Sequence, residues 1–476
     1  MTLRGENMRK FAAALVALVL IGTACGAQGD EADTSEEPET EAVAEPGQDA
    51  SDADFGDLES PCGPGDLSVE ASEAGLGTDK LYIGVGNDRT SDIRPGLQAT
   101  IWDSSVAFVE WCNAQGGVGG LQIEIVDLPA ALFDVEAAMT TACTDAFAMV
   151  GGGMAQDNLQ FSGNEGSDFH RCGMIDIPAY AVSTEKSQSN GQVQPIPNPS
   201  TSTDNTWFAD FAELYPDDAQ RWSVAYGDIP SLEIPKLKYE AIVEDLGTME
   251  QVGDHPYPVV GTTDWNPIAL SILENDPTTF TWVGDTGDMV KTLTAMRQQG
   301  WTGRPLLEAT AYDPLLFGSD SEAVEGAAVR MTSHPFEEAS LWPATQKYID
   351  LMEQYSPDGT QALLGIASMS AWLLFVTAAN ACGESNDGVL TRNCIITEAA
   401  AVEEWTGGGL HGTTDPEDGP DAVASACSML LTVTDGTFER LYPEVDGDDD
   451  DGGGFHCGEV TEVTEGIGEG VVDPER

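Results

Sequence analysis

Apolar side chains recur along this chain in two rhythms, and their alternation predicts a succession of strands and helices. "LYIGVGN" (81–87) alternates every second position and reads as a strand entering a glycine-punctuated loop. Pro95 then opens a helix on which Leu97, Ile101, Phe108, Val109 and Cys112 fall near helical spacing, giving one apolar face. Gly116 and Gly117 follow, a pair able to take the left-handed conformation that ends a helix and turns the chain back within a few residues. "GLQIEIVDLP" (120–129) is a second strand, with Leu121, Ile123 and Ile125 alternating against Gln122 and Glu124. Asp134 can cap the next helix, 135–145. "AFAMVGGG" (146–153) and "MIDIPAYA" (174–181) are the third and fourth strands. A βαβαβ rhythm with short loops specifies a parallel, doubly wound sheet.

The rhythm restarts after a Ser/Thr/Asn-rich break, "NPSTSTDNT" (198–206). "RWSVAYGD" (221–228) reads as a strand, "LEIPKLKYEAIVEDLG" (232–247) as mostly helix and "YPVVGTTDW" (257–265) as an extended segment. "TFTWVG" (279–284) is another strand, 285–299 a helix with Met289, Leu293 and Met296 on one side, and "RPLLEA" (304–309) a further strand. "SMSAWLLFVTAANACG" (368–383) is apolar over several turns, so Trp372, Leu374 and Phe375 are expected in a core. The expected class is therefore α/β, with two Rossmann-like doubly wound lobes.

Composition narrows the partners. The 476 residues carry 82 acidic and 19 basic side chains, a formal net charge of −63. A field of that sign repels nucleic acid and anionic membrane surfaces and disfavours acidic substrates. Its simplest meaning is a well-solvated surface. The 41% apolar content suffices for two ordinary cores.

The N-terminus changes the compartment. Arg4, Arg9 and Lys10 precede "FAAALVALVLIGTAC" (11–25), a basic region, an apolar run and a small-residue exit, the layout of a secretory signal. Met8 offers a second start. "GTAC" followed by Gly26 resembles the lipobox of bacterial lipoproteins, which implies cleavage before Cys25 and its lipidation, although Gly22 stands where leucine is usual. Residues 29–60 are acidic, contain proline and hold almost no large apolar side chain, so they are expected to form a disordered tether.

Eight cysteines remain in an exported chain, an even number that reads as disulfides with 105 formal pairings. Chain order suggests Cys62–Cys112, Cys143–Cys172, Cys382–Cys394 and Cys427–Cys457. No CxxC pair occurs and no two histidines stand four apart, so no metal site is expected. "DGDDDDGGG" (446–454) alternates like a calcium loop but has Asp451 where glycine is needed and Cys457 where a bidentate glutamate is needed, and reads as solvated linker. The glycine runs "GVGNDRT" and "GGGMAQDN" lack the spacing and the lysine that grip phosphate, and no nucleophile–base motif such as GxSxG is present. Neither a cofactor nor a catalytic residue is expected.

The stretch "IWDSSVAFVEWCNAQGGVGGLQIEIVDLPAALFDVEAAMTTACT" resembles the first βαβα unit of type I periplasmic binding proteins, and within them the branched-chain amino-acid and amide binders, whose helix ends in an Asn-Ala-x-Gly-Gly run. "FAMVGGGMAQDN", "IPAYAVST", "TTDWNP", "VEGAAVRMTSHP" and the actinobacterial-type "LTRNCIITEAAAVEEWTGGGLHG" continue the likeness in register, from about residue 79 to 443. The resemblance implies two lobes joined by three crossover hinge segments, near 203–210, 332–338 and 415–422. It divides the chain into a lipoprotein signal (1–25), an acidic tether and disulfide-pinned extension (26–78), lobe 1 (79–205 with 335–420), lobe 2 (206–334 with 421–446) and an acidic C-terminal tail (447–476). It further implies a solute-binding protein of an ABC importer, outside the cytoplasm and lipid-anchored, partnered by permease transmembrane subunits. The alternative is a ligand-sensing subunit on the same fold that signals through a separate membrane partner.

Carried over by position, the first ligand loop gives Met154, Ala155 and Gln156, and the second gives Tyr180, Ala181 and Val182. The second lobe gives Tyr226, Asp228, Ser231 and Asp288. Ala155, Gln156 and Val182 stand where amino-acid binders keep hydroxyl side chains, which points towards an amide, urea-like or aromatic solute. Asp288 favours an amine-bearing ligand, or serves as an acidic residue in a helix's first turn.

Overall fold

The computed structural model describes residues 53–162, 167–318 and 321–474. The signal segment, Cys25 and the tether up to residue 52 lie outside the described residues.

Four parallel strands form the first sheet, in the order Ile123–Pro129, Leu81–Asn87, Ala148–Val150, Asp176–Ile177. Helices cover both faces. On one, the helices Ala99–Gln115 and Leu363–Ser385 pack together, and Phe108 stacks on Trp372 with ring centroids 5.3 Å apart. On the other, Val135–Asp145 buries Val135, Ala138 and Met139 with Val126 and Leu128. Leu363–Ser385 is long and apolar enough to cross a membrane, but most of it is buried in this core.

The larger sheet runs Thr437–Tyr442, Cys427–Thr434, Ala328–Met331, Arg304–Leu307, Thr279–Val283, Arg221–Gly227, Glu250–Tyr257. Its last five strands in that order are mutually parallel, and Cys427–Thr434 adds antiparallel to them. Trp265, Met289 and Leu293 fill one face, and Trp207, Phe208, Trp222 and Tyr239 the other. The chain passes between the sheets three times: between Ile177 and Arg221, between Met331 and Pro343, and between Ala400 and Cys427.

The glycine pair does what the pattern requires. Gly116 and Gly117 have φ of 117° and 83°, and their N–H groups cap Asn113 and Cys112 carbonyls. A Cβ on Gly117 would stand 2.2 Å from the Leu121 carbonyl oxygen, so no other residue fits this return. All eight cysteines outside the signal are paired: Cys62–Cys112, Cys143–Cys172, Cys382–Cys394 and Cys427–Cys457.

Five expectations differ from the structure: the first helix begins at Ala99 and not at Pro95, which lies in a turn, and Asp134 precedes Val135–Asp145 without a side-chain cap bond, besides the three that follow. The extended segment expected at 257–265 is instead the strand Glu250–Tyr257 followed by a loop. "EQVGDHPY" lacks alternating apolar residues because it is the sheet's edge, where Gly253 and Pro256 are tolerated. Residues 53–60, expected within the disordered tether, are ordered. Phe55, the one large aromatic there, is fully buried 5.9 Å from Trp111, and Asp54 accepts the Ser60 N–H at 2.9 Å. The acidic run 446–454 is a closed turn in which one Asp450 carboxylate accepts the N–H groups of Asp446, Gly452 and Gly454. Beyond it, His456–Cys457 pairs with Cys427–Thr434, and Val460–Glu462 pairs antiparallel with Ser202–Asp204. The chain then reaches the first lobe, where Val471 and Asp473 bond Ser189 and Asn190.

Candidate functional site

In an open parallel sheet, a crevice forms at the carboxyl ends of the strands where the strand order reverses. In the first sheet that point lies between Leu81–Asn87 and Ala148–Val150, whose following residues are Asp88 and the loop from Gly151. In the second it lies between Arg221–Gly227, followed by Asp228, and Thr279–Val283, followed by Gly284 and Asp285. These two strand ends are brought together across the lobes. Ser231 Oγ donates to the Ala155 carbonyl at 2.5 Å, and Arg94, from the loop after Leu81–Asn87, pairs with Asp288 and donates to the Val259 carbonyl at 2.9 and 3.1 Å.

Two buried carboxylates hold the first-lobe loops. Asp88 accepts Leu132 N–H at 2.6 Å and Ala155 N–H at 2.7 Å. Burial raises its pKa, and those two N–H groups work against the rise. Asp157 accepts Val182 N–H at 2.7 Å and Ser183 N–H at 3.0 Å; burial raises its pKa while nearby Lys186 opposes. Lys186 is itself buried and paired with buried Asp176 at 2.7 Å. Tyr180 donates its hydroxyl to Gln98 Oε1 at 2.8 Å, and burial pushes that hydroxyl's pKa well up. Its ring lies on Gly153, where a Cβ would stand 2.1 Å from Cε1.

The expected ligand residues divide accordingly. Ala155, Ser231 and Asp288 lie where the lobes meet, with Tyr180 covering the first loop. Gln156 donates its side-chain amide to the Leu132 carbonyl. Ala181 is buried and its carbonyl accepts Asn198 Nδ2 at 2.8 Å, while Val182 presents its N–H to Asp157. Met154 is fully buried with its side chain against Gly86 and Gln160, inside the core. Asp228 fastens its own loop through Val259 N–H at 2.8 Å. Tyr226 stands beside Lys236, whose Nζ is 5.4 Å from its ring centroid, and packs against the second lobe's core.

Several charged groups at the meeting of the lobes were not singled out from the sequence. Arg94 and Asp88 flank the first strand's end. Glu308, bonded by Thr310 Oγ1, has its pKa raised by burial and sits near Arg330. Arg330 pairs with buried Asp204 at 3.1 Å. Lys238 is buried, bonded to Asn198 Oδ1 at 2.5 Å and the Pro199 carbonyl at 2.9 Å. A common signal exists for Asp88 and Glu308: each is a charged residue directly after a strand. For Arg94 there is none, since its partner is 194 positions away.

Known proteins agree with this architecture. Residues 173–437 match the family described as periplasmic binding protein. A leucine-binding protein from Thermotoga maritima superposes with a TM-score of 0.60 at 18% identity, covering 76% of this chain and 98% of its own. A fatty acid ABC transporter substrate-binding protein from Thermomonospora curvata gives 0.63 at 16%, covering 85% and 95%. A branched-chain amino acid transporter substrate-binding protein from Streptococcus pneumoniae, in complex with isoleucine, gives 0.59 at 15%, covering 76% and 98%. No curated protein matches by sequence. With more than half of its residues matched and two doubly wound lobes between whose sheets the chain passes three times, the chain belongs to the periplasmic binding protein family, in its type I form, a family of extracytoplasmic solute binders that are not enzymes.

Proposed function

We propose that this protein captures a small polar solute between its lobes and delivers it to the membrane permease of an ABC importer. The observation that carries the reading is the meeting of the two strand-order reversals, Ala155 and Arg94 on one side against Ser231 and Asp288 on the other. A guest that touches both sides binds the closed arrangement better than the open one, and that difference in affinity is what drives closure. Ala155, Tyr180, Ser231 and Asp288 are the residues assigned nearest the solute. Lobe 1 is assigned to 79–205 with 335–420 and lobe 2 to 206–334 with 421–446. Cys25 carries the lipid anchor, with the acidic residues after it as spacer.

Native mass spectrometry of the purified protein tests the reading, followed by scattering before and after removal of whatever co-purifies. A bound small molecule whose removal enlarges the radius of gyration supports it. A chemically altered product released from an added solute would overturn it. Incorporation of labelled palmitate that is lost in Cys25→Ala tests the anchor.

A further inference from the structure

Resting on the solute-binding reading, the arrangement of charges where the lobes meet limits the kind of solute. A guest ammonium needs an unoccupied carboxylate or carbonyl, and a guest carboxylate needs unoccupied N–H donors, because a charge moved out of water must be paired. Asp288 is 1% exposed, and both its oxygens are engaged, Oδ2 by Arg94 from the opposite lobe and Oδ1 by Lys291 at 3.0 Å. The Arg94 side chain is 14% exposed and is further fixed on the Val259 carbonyl. On the first lobe, the N–H groups of Ala155, Val182 and Ser183 already bond Asp88 and Asp157. The chain thus supplies its own cation to the second lobe and its own carboxylates to the first.

We propose that Arg94 is a specificity-determining residue that bars ammonium-bearing solutes, so that the guest is a neutral compound of the carboxamide or alcohol class. An ammonium at Asp288 would have to expel Arg94 and leave a largely buried guanidinium unpaired, a costly exchange. A carboxylate would meet an excess of negative charge, Asp88, Asp157, Asp285 and Asp288, whose neighbouring cations Arg94, Lys186 and Lys291 are already paired with carboxylates of the chain. A neutral carbonyl avoids both costs, and Arg94 Nη1, which has no acceptor among the described residues, is the donor available to it.

The test uses three probes of one shape: L-leucine, 4-methylpentanoate and 4-methylpentanamide. Titration calorimetry and small-angle scattering are run on the wild type, Arg94→Ala and Arg94→Lys. The wild type is expected to give no heat with L-leucine at about 1 mM, and Arg94→Ala to gain at least about tenfold in affinity for it. Arg94→Ala is also expected to scatter as a more open particle, and Arg94→Lys, which keeps the charge, to retain the wild-type envelope. Micromolar binding of L-leucine by the wild type overturns the assignment. So does Arg94→Ala with an unchanged envelope and no gained response. A wild type that binds the amide confirms the neutral class; one that binds the acid in preference overturns it. If native mass spectrometry finds no solute and no variant alters the envelope, the solute-binding reading itself fails.

Discussion

The carboxylate of Asp157 accepts the N–H groups of Val182 and Ser183, at 2.7 and 3.0 Å, and so ties the loop after Ala148–Val150 to the loop after Asp176–Ile177. Lys186, itself buried, pairs with Asp176 at 2.7 Å and lies near enough to Asp157 to oppose the rise that burial gives its pKa. Asp157→Asn keeps the shape but turns one acceptor into a donor facing those N–H groups and removes a counter-charge from Lys186. It is expected to cost about 2 kcal/mol, the penalty of a buried N–H left without its acceptor, since Lys186 keeps its pair with Asp176. Equilibrium urea unfolding checks this; a midpoint equal to the wild type's would show that these N–H groups do not depend on the carboxylate.

The chain's last described residues cross from one lobe to the other. Val460–Glu462 extends the first crossover as a paired strand, and Val471 N–H then bonds Ser189 Oγ at 2.8 Å while Asp473 and Asn190 exchange two bonds. Truncation after residue 463 keeps the strand but removes these three first-lobe contacts. At about 1 kcal/mol for a neutral hydrogen bond, and less where water competes, the loss is expected to be about 2 kcal/mol. Amide exchange in 187–191 is expected to quicken with it. Unchanged exchange there would mean the tail lies on the first lobe without holding it.

What was legible in the sequence follows from locality. The Gly116–Gly117 return could be read because a helix end, a turn and a strand start lie within eight residues and each demands its own residue type. The strands of both sheets could be read where they are buried, as in "TFTWV", all five of whose residues are buried. Glu250–Tyr257 could not, since this edge strand buries only His255 and Tyr257 and so has no apolar alternation to show. Phe55 was hidden for a different reason: a single aromatic in an acidic stretch has meaning only once Trp111 is beside it. Of the positions expected from the resemblance, Ala155, Ser231 and Asp288 lie where the lobes meet, yet the partner of Asp288 could not be read from the sequence. Contacts between lobes obey no period, so Arg94 becomes visible only in three dimensions.

Lys238 makes stability depend on pH in a stated direction. Burial, and then the nearby Arg330 charge, lower its pKa to about 7, against 10.5 for a solvated lysine. Between those values the unfolded chain binds a proton that the folded one does not, so stability falls as pH drops from 10.5 to 7 and is regained as pH rises. The slope approaches about 1.4 kcal/mol per pH unit at most. The stability of the wild type relative to Lys238→Met is therefore expected to grow by more than about 1 kcal/mol from pH 7.5 to 9. A flat difference would show that the ammonium keeps its charge between Asn198 and Pro199.

The disulfides allow a ranking that depends on chain length. Cys62–Cys112 closes 50 residues and Cys382–Cys394 closes 12. If a crosslink acts mainly by restricting the unfolded chain, the longer loop is worth about 4 kcal/mol and the shorter about 3. The longer one also fastens a segment that otherwise lies on the first lobe through scattered single contacts. Phe55 buries against Trp111, Gly63 N–H bonds the Gly117 carbonyl at 2.7 Å, and Leu67 N–H bonds that of Gly119 at 3.0 Å, all beside Cys112. Cys382–Cys394 instead joins two helices that already pack closely through the first core. Cys62→Ser with Cys112→Ser is thus expected to lower the melting temperature more than Cys382→Ser with Cys394→Ser, and alone to expose residues 53–67 to proteolysis. An equal or reversed order in calorimetry would mean that folded-state packing, rather than chain entropy, decides what these crosslinks contribute.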